Sequence, residues 1–198
     1  MSHLREPAAN FSGSRVYVSH DADDLASVRL CLNGDQAAFA PIVERYQRVL
    51  FTVAVRMLGD EDEANDAAQN AFVKAYQKLA TFDPERRFFS WLYRILVNEC
   101  LNQQRDRRPS EPIPAELAAT DDSPDDLLEA KERRRRVQAA IVALPISYRA
   151  VVVLRHFGGL SYDDIADALG VSTAIVKSRL HTARQRLGHM LAGLDARR

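Results

Sequence analysis

Long apolar runs are missing from this sequence, and with them any segment able to span a bilayer. The N-terminus has no apolar signal core either, which predicts a cytoplasmic protein with no membrane insertion of its own. Cysteine is scarce. Cys31 and Cys100 stand far apart in apolar-periodic stretches, with no CxxC or Cys/His spacing, which predicts buried free thiols in a reducing cytosol and no metal site. Enzyme signatures are lacking as well: there is no Gly-rich phosphate loop, no nucleophile elbow and no pair of metal ligands. His3, His20, His156, His181 and His189 are scattered, and ordinary surface or core positions account for them. The expectation is a protein that is not an enzyme and carries no cofactor. A net charge is also absent, since 27 basic side chains balance 27 acidic ones. That argues against a chain coated uniformly with base.

The charge is segregated instead. Residues 60–66 are acidic, 86–108 mostly basic, 111–129 strongly acidic and 177–186 basic. Such asymmetry points to separate patches for separate partners.

The clearest pattern is 160–186. Ser161 is a good N-cap with Asp164 three residues on, and Ile165, Ala166 and Leu169 follow at helical spacing. Gly170 stops that helix, because glycine enters the left-handed conformation without steric cost. Ser172 caps a second helix with Ile175, Val176, Leu180 and Ala183 on its apolar side. Its other face carries Lys177, Ser178, Arg179, His181, Arg184 and Arg186. An acidic helix, a Gly turn and a basic helix describe a helix-turn-helix whose second helix suits DNA. Cations there release condensed counterions when they meet phosphates, which supplies affinity.

Upstream, residues 1–22 are polar and without period, which predicts a mobile tail. Asp23 or Asp24 can cap a short helix through Leu32, and Gly34 ends it. The stripe Phe39, Ile42, Val43, Tyr46, Val49, Leu50, Val53 and Met57 predicts a helix from Gln36 to Leu58, closed by Gly59. Asp60 caps the next, whose small inner residues Ala64, Ala67, Ala68, Ala71 and Ala75 allow close packing, with Phe72 and Leu79 on the same face. Its outer face carries Glu61, Asp62, Asn65, Asp66, Gln69, Asn70 and Lys74.

Five aromatic residues fall between Phe82 and Tyr93, interleaved with Arg86 and Arg87 and followed by Arg94. Most must be core, but not every ring can face inward, and rings beside arginines suit unpaired bases. Asn98 and Asn102, four apart on one face, can read base edges. Prolines 109, 112, 114 and 124 with the surrounding acids make 109–126 an extended tether. The fold predicted is therefore all-α. Two small helical domains, 23–108 and 127–192, are joined by that tether, and the helix-turn-helix spans 161–186.

The chain resembles the extracytoplasmic-function sigma factors of bacterial RNA polymerase. Two motifs carry the resemblance. The first is Phe88-x-Ser90-Trp91-Leu92-Tyr93-Arg94-Ile95 with Asn98 downstream, preceded by Asp66-x-x-Gln69-x-x-Phe72. The second is Leu144-Pro145, Arg149, Leu154-Arg155 and Gly159-Leu160-Ser161-Tyr162-x-x-Ile165-Ala166-x-x-Leu169-Gly170, closed by Val176-Lys177-Ser178-Arg179-Leu180 and Ala183-Arg184. The resemblance implies that the first domain is sigma region 2, docking on the β′ clamp of core polymerase through Asp66, Gln69 and Phe72. It implies that −10 DNA is melted and read by Phe82, Arg86, Arg87, Trp91, Arg94, Asn98, Asn102 and Arg105. The second domain would be region 4, meeting the β flap. Its −35 contacts would come from Ser172, Thr173, Ala174, Lys177, Ser178, Arg179, His181 and Arg184. An anti-sigma factor is the further partner implied. Phe89, Ile175 and Thr182 depart from the usual pattern, and the last two take a hydroxyl and a cation from the DNA side. The alternative, a stand-alone helix-turn-helix regulator, accounts for 160–186 but not for the aromatic-basic helix.

Overall fold

Local chemistry cuts this chain into helices at points that can be named. The computed structural model describes residues 20–106 and 124–195, and no strand occurs among them. The first half holds α1 (Asp21–Leu32), α2 (Ala40–Leu58), α3 (Glu61–Gln77) and α4 (Phe88–Asp106). Short 3-10 turns at Gln36–Phe39 and Leu79–Thr81 lead into α2 and out of α3. The second half holds α5 (Pro124–Ala143), α6 (Ile146–His156), α7 (Tyr162–Leu169) and α8 (Thr173–Asp195). Gly59 ends α2 at φ 80°, in the left-handed region open to glycine. The Asp60 carboxylate then accepts from the Glu63 amide at 2.9 Å and starts α3.

In the first domain α3 lies between α2 and α4. Ala64, Ala67, Ala71 and Ala75 are wholly buried, and their small size lets the helices approach closely. Ile42, Tyr46, Leu50, Val53 and Met57 of α2 and Phe88, Leu92 and Leu96 of α4 fill the core. In the second domain Val151, Leu154, Ile165, Val176, Leu180 and Ala183 do the same.

Two boundaries differ from the sequence reading. Asp23 and Asp24 do not cap α1, which starts at Asp21 with no side-chain cap. Asp24 is instead fully buried and accepts from Arg45 and the Tyr46 hydroxyl, fastening α1 to α2. Burial raises its carboxyl pKa, against the pull of Tyr46 and Arg45. α1 thus begins inside the stretch read as a tail. Likewise α5 starts at Pro124, inside the stretch read as a tether, because proline is compatible with a first helical position. The expected tail through residue 19 and the expected tether over 107–123 lie outside the described residues.

The two domains touch. Arg149, buried at the start of α6, donates to the carbonyls of Met57, Val142 and Leu144. Gln138 donates to the Val55 carbonyl at 2.9 Å and accepts from Arg56 at 2.6 Å. The C-terminal carbonyls of α2, the negative end of its dipole, are thereby held by donors from α5 and α6. α4 packs along α7.

Candidate nucleic-acid and polymerase interfaces

The helix-turn-helix is built from its caps. The Ser161 hydroxyl accepts from the Asp164 amide at 3.1 Å, and Asp164 accepts in return from the Ser161 amide at 3.1 Å, a complete capping box. Gly170 turns the chain at φ 64°. The Ser172 hydroxyl accepts from the Ile175 amide at 3.4 Å, and Thr173 donates to Asp163 at 3.0 Å, tying α8 to α7. Val176, Leu180 and Ala183 of α8 are buried. Ser172, Ala174, Lys177, Ser178, His181 and Arg184 are exposed, and Thr173 and Arg179 are half-buried at the edges of that face.

Cations that the sequence reading left aside adjoin this face. Arg155 donates to the Leu160 carbonyl at 2.7 Å and stacks on Tyr162 at 5.1 Å. Burial first, and then the charges of Arg184 and Arg155, lower the His156 pKa. Ile175 is exposed in the first turn of α8.

On α4 the aromatic residues sort differently from expectation. Phe82, Phe88, Phe89 and Tyr93 are all buried. Phe82 lies 5.3 Å from Phe88 and 5.4 Å from Trp91, ring centre to ring centre. Trp91 keeps part of its surface open, so it is the one ring of this group that a base can reach without rearrangement. Phe82, expected on the DNA side, is part of the core; its neighbours at 88 and 91 cover it. Arg94, Asn98 and Asn102 recur every four residues on one exposed face, with Arg105 donating to Asn102 at 3.3 Å.

Arg86 and Arg87 are exposed but engaged. Arg86 meets Asp167 at 2.8 Å, and Arg87 meets Asp164 at 3.3 Å and Asp21 at 3.6 Å. Arg86 stands at the edge of a cleft of about 630 Å³ between α4 and the helix-turn-helix, lined also by Arg94, Thr173 and Ile175.

On α3, Asp66 and Gln69 are exposed, while Phe72 turns to the inner face and is buried. Val73 and Tyr76 take its place on the outside, 54% and 39% exposed. The signal for them was present: 66, 69, 73 and 76 form one helical row. Lys74, on the flank, reaches Glu99 of α4 at 2.6 Å. Among the described residues no cluster of side chains is suited to a metal ion, and no helix is long and apolar enough to cross a membrane.

Comparison with known proteins matches both halves. Residues 42–109 match the family model described as Sigma-70 region 2, and residues 134–187 that described as Sigma-70, region 4. The ECF RNA polymerase sigma factor SigW of Bacillus subtilis is 36% identical over 173 residues, covering 81% of this chain and 92% of that protein. The ECF RNA polymerase sigma-E factor of Escherichia coli K12 is 33% identical over 192 residues, covering 91% of this chain and 100% of that protein. Among solved structures, CnrH in complex with the cytosolic domain of CnrY is similar at TM-score 0.69 and 29% identity, over 86% of this chain and 98% of that one.

Proposed function

The chain belongs to the extracytoplasmic-function sigma factors, and from that premise we propose how its surfaces divide the work of starting transcription. It is a sigma factor that directs RNA polymerase to promoters, not a stand-alone regulator. The outer row of α3, with Asp66 and Gln69 joined by Val73 and Tyr76, docks on the β′ clamp of core polymerase. The loop 82–87 and the face of α4 with Trp91, Arg94, Asn98, Asn102 and Arg105 read −10 DNA once its strands part. Phe82 and Phe72 support these two surfaces from the core instead of forming them. The exposed side of α8 enters the −35 major groove, with Ser172, Thr173, Ala174 and Ser178 at base edges and His181 beside them. Lys177, Arg179 and Arg184 hold phosphates. The second domain also meets the β flap. The domains run over 20–108 and 124–192, and the protein works in the cytoplasm beside its polymerase. An anti-sigma factor restrains it; the similar CnrH, solved with a protein partner, supports that reading.

The observation that carries the assignment is the exposed row Arg94, Asn98 and Asn102 beside the half-open Trp91. It has donors, acceptors, a cation and one ring, the set an unstacked base requires. Permanganate footprinting on a linear promoter tests the division. Asn98→Ala should spare closed −35 binding and slow strand opening. Arg179→Ala should weaken duplex binding on every promoter and lower the salt slope by about one ion. The reverse pattern refutes it.

A further inference from the structure

Among the described residues of α8, Ile175 is the one large apolar side chain left exposed, at 42%, whereas Val176, Leu180 and Ala183 are buried. It stands in the first turn, next to exposed Ala174. Ser172, Ser178 and Arg179 lie three or four positions from it and share its surface of the helix. The backbone under it is fixed. The Ile175 amide donates to the Ser172 hydroxyl at 3.4 Å, and Thr173 donates to Asp163 of α7 at 3.0 Å. A β-branched isoleucine in a helix keeps essentially one χ1 rotamer, so Ile175 presents a stiff apolar knob that loses little entropy on contact. Helical Cα–Cβ bonds tilt toward the N-terminus. The knob therefore leans toward the end of a recognition helix that meets base edges.

We propose that Ile175 is a specificity residue of the −35 contact, packing on the C5-methyl of one thymine in the major groove. The inference rests on the seating of α8 in that groove. Of the four bases only thymine presents a methyl group there; the others offer hydrogen-bond donors and acceptors. A hydrocarbon side chain satisfies none of these, and covering one takes its water away without return. The same knob thus favours thymine at one base pair and opposes the other three bases. The hydroxyls of Ser172, Thr173 and Ser178 are tolerant by contrast, because a hydroxyl either donates or accepts. Ile175 adds a discrimination that those contacts lack, and the hydroxyl missing at 175 is exchanged for a methyl contact.

Duplexes randomised across the −35 segment and selected by the holoenzyme, the full chain with core polymerase, supply the binding sequence. Each thymine in it is then replaced by uracil, which removes the methyl and keeps every hydrogen-bonding group. With the parent, uracil at one position should raise the dissociation constant about fourfold, the scale of one buried methyl. Ile175→Ala should bind thymine and uracil equally at that position and keep any penalty found at other positions. Ile175→Val should retain part of the discrimination. Ile175 is exposed and alanine is the better helix former, so the alanine variant keeps the fold. Uracil bound as tightly as thymine at every position overturns the inference, and so does a penalty that Ile175→Ala leaves intact. Arg179→Ala should weaken binding to all these duplexes alike. Weakening there with no methyl effect refutes Ile175 alone, whereas indifference to both changes refutes the seating of α8 as well.

Discussion

Cys100 shows how far a neighbourhood can move one group. It lies on α4, wholly buried in the first domain, and burial, with Glu99 beside it, pushes its thiol pKa up to about 12. Cys31 is half-exposed and its pKa is also raised, by burial and by Asp35. Thiolate is the reactive form, so a disulfide reagent at pH 8 should modify Cys31 slowly and leave Cys100 untouched until the protein unfolds. The sign for stability follows from the same shift. The unfolded thiol ionises near its ordinary value of 9.0 while the folded one stays protonated. The contribution is complete below pH 9 and is lost as pH rises toward 12, at about 1.4 kcal/mol per pH unit. Urea unfolding at pH 8, 9.5 and 10.5, compared with Cys100→Ala, isolates this slope. That both cysteines are unpaired thiols could be read from their spacing, but the half-exposure of Cys31 could not. Asp24 and Arg149 were illegible for a related reason. Their partners lie 22 and 92 residues away in Tyr46 and Met57, and no local pattern encodes them.

At the scale of elements, boundaries were legible wherever the chemistry is local. Gly59 with Asp60, and Ser161 with Asp164 and Gly170, act within a few residues of themselves, and each sits where the sequence places it. Boundaries failed where a capping residue was drawn into tertiary contact, as at Asp24, or where composition was taken for conformation, as at Pro124. Two glycines of the second domain make the local logic measurable. Gly170 has φ 64°, so Gly170→Ala should cost about 1 kcal/mol of left-handed strain. The one close atom its Cβ would meet, Arg94 Nη2, ends a flexible side chain and can move away. Gly188 lies inside α8 with nothing within 4 Å of its added Cβ. Gly188→Ala should therefore stabilise by about 0.5–1 kcal/mol through helix propensity. Opposite shifts in the thermal midpoint are the expected result. Two shifts of the same sign would break the assignment of either the turn or the helix.

For the whole molecule, the segregation of charge was plain in the sequence, but the pairing of the segregated patches was not. Basic 86–87 suggested an outside partner, and in the structure these arginines meet Asp167 and Asp164, 81 and 77 residues away. The acidic outer face of α3 is different. The helix packs on α2 and α4 by its inner side, and Asp66 and Gln69 remain exposed beside Val73 and Tyr76. A face with exposed acids and two exposed apolar side chains in one row has the make-up of an interface centre with a polar rim. Reversing one surface charge there should alter folding stability by less than about 0.5 kcal/mol. It should alter association far more, because a like charge now opposes the partner at every encounter. Asp66→Arg should thus keep the parent's helical content, yet assemble with core polymerase at least about tenfold more weakly. The loss should deepen at low salt, where screening is least. Gel filtration with core polymerase at two salt concentrations reads both effects. Assembly equal to the parent at low salt would assign the docking surface elsewhere, whereas a loss accompanied by reduced helical content would mean that the substitution acts through the fold and not through the α3 face.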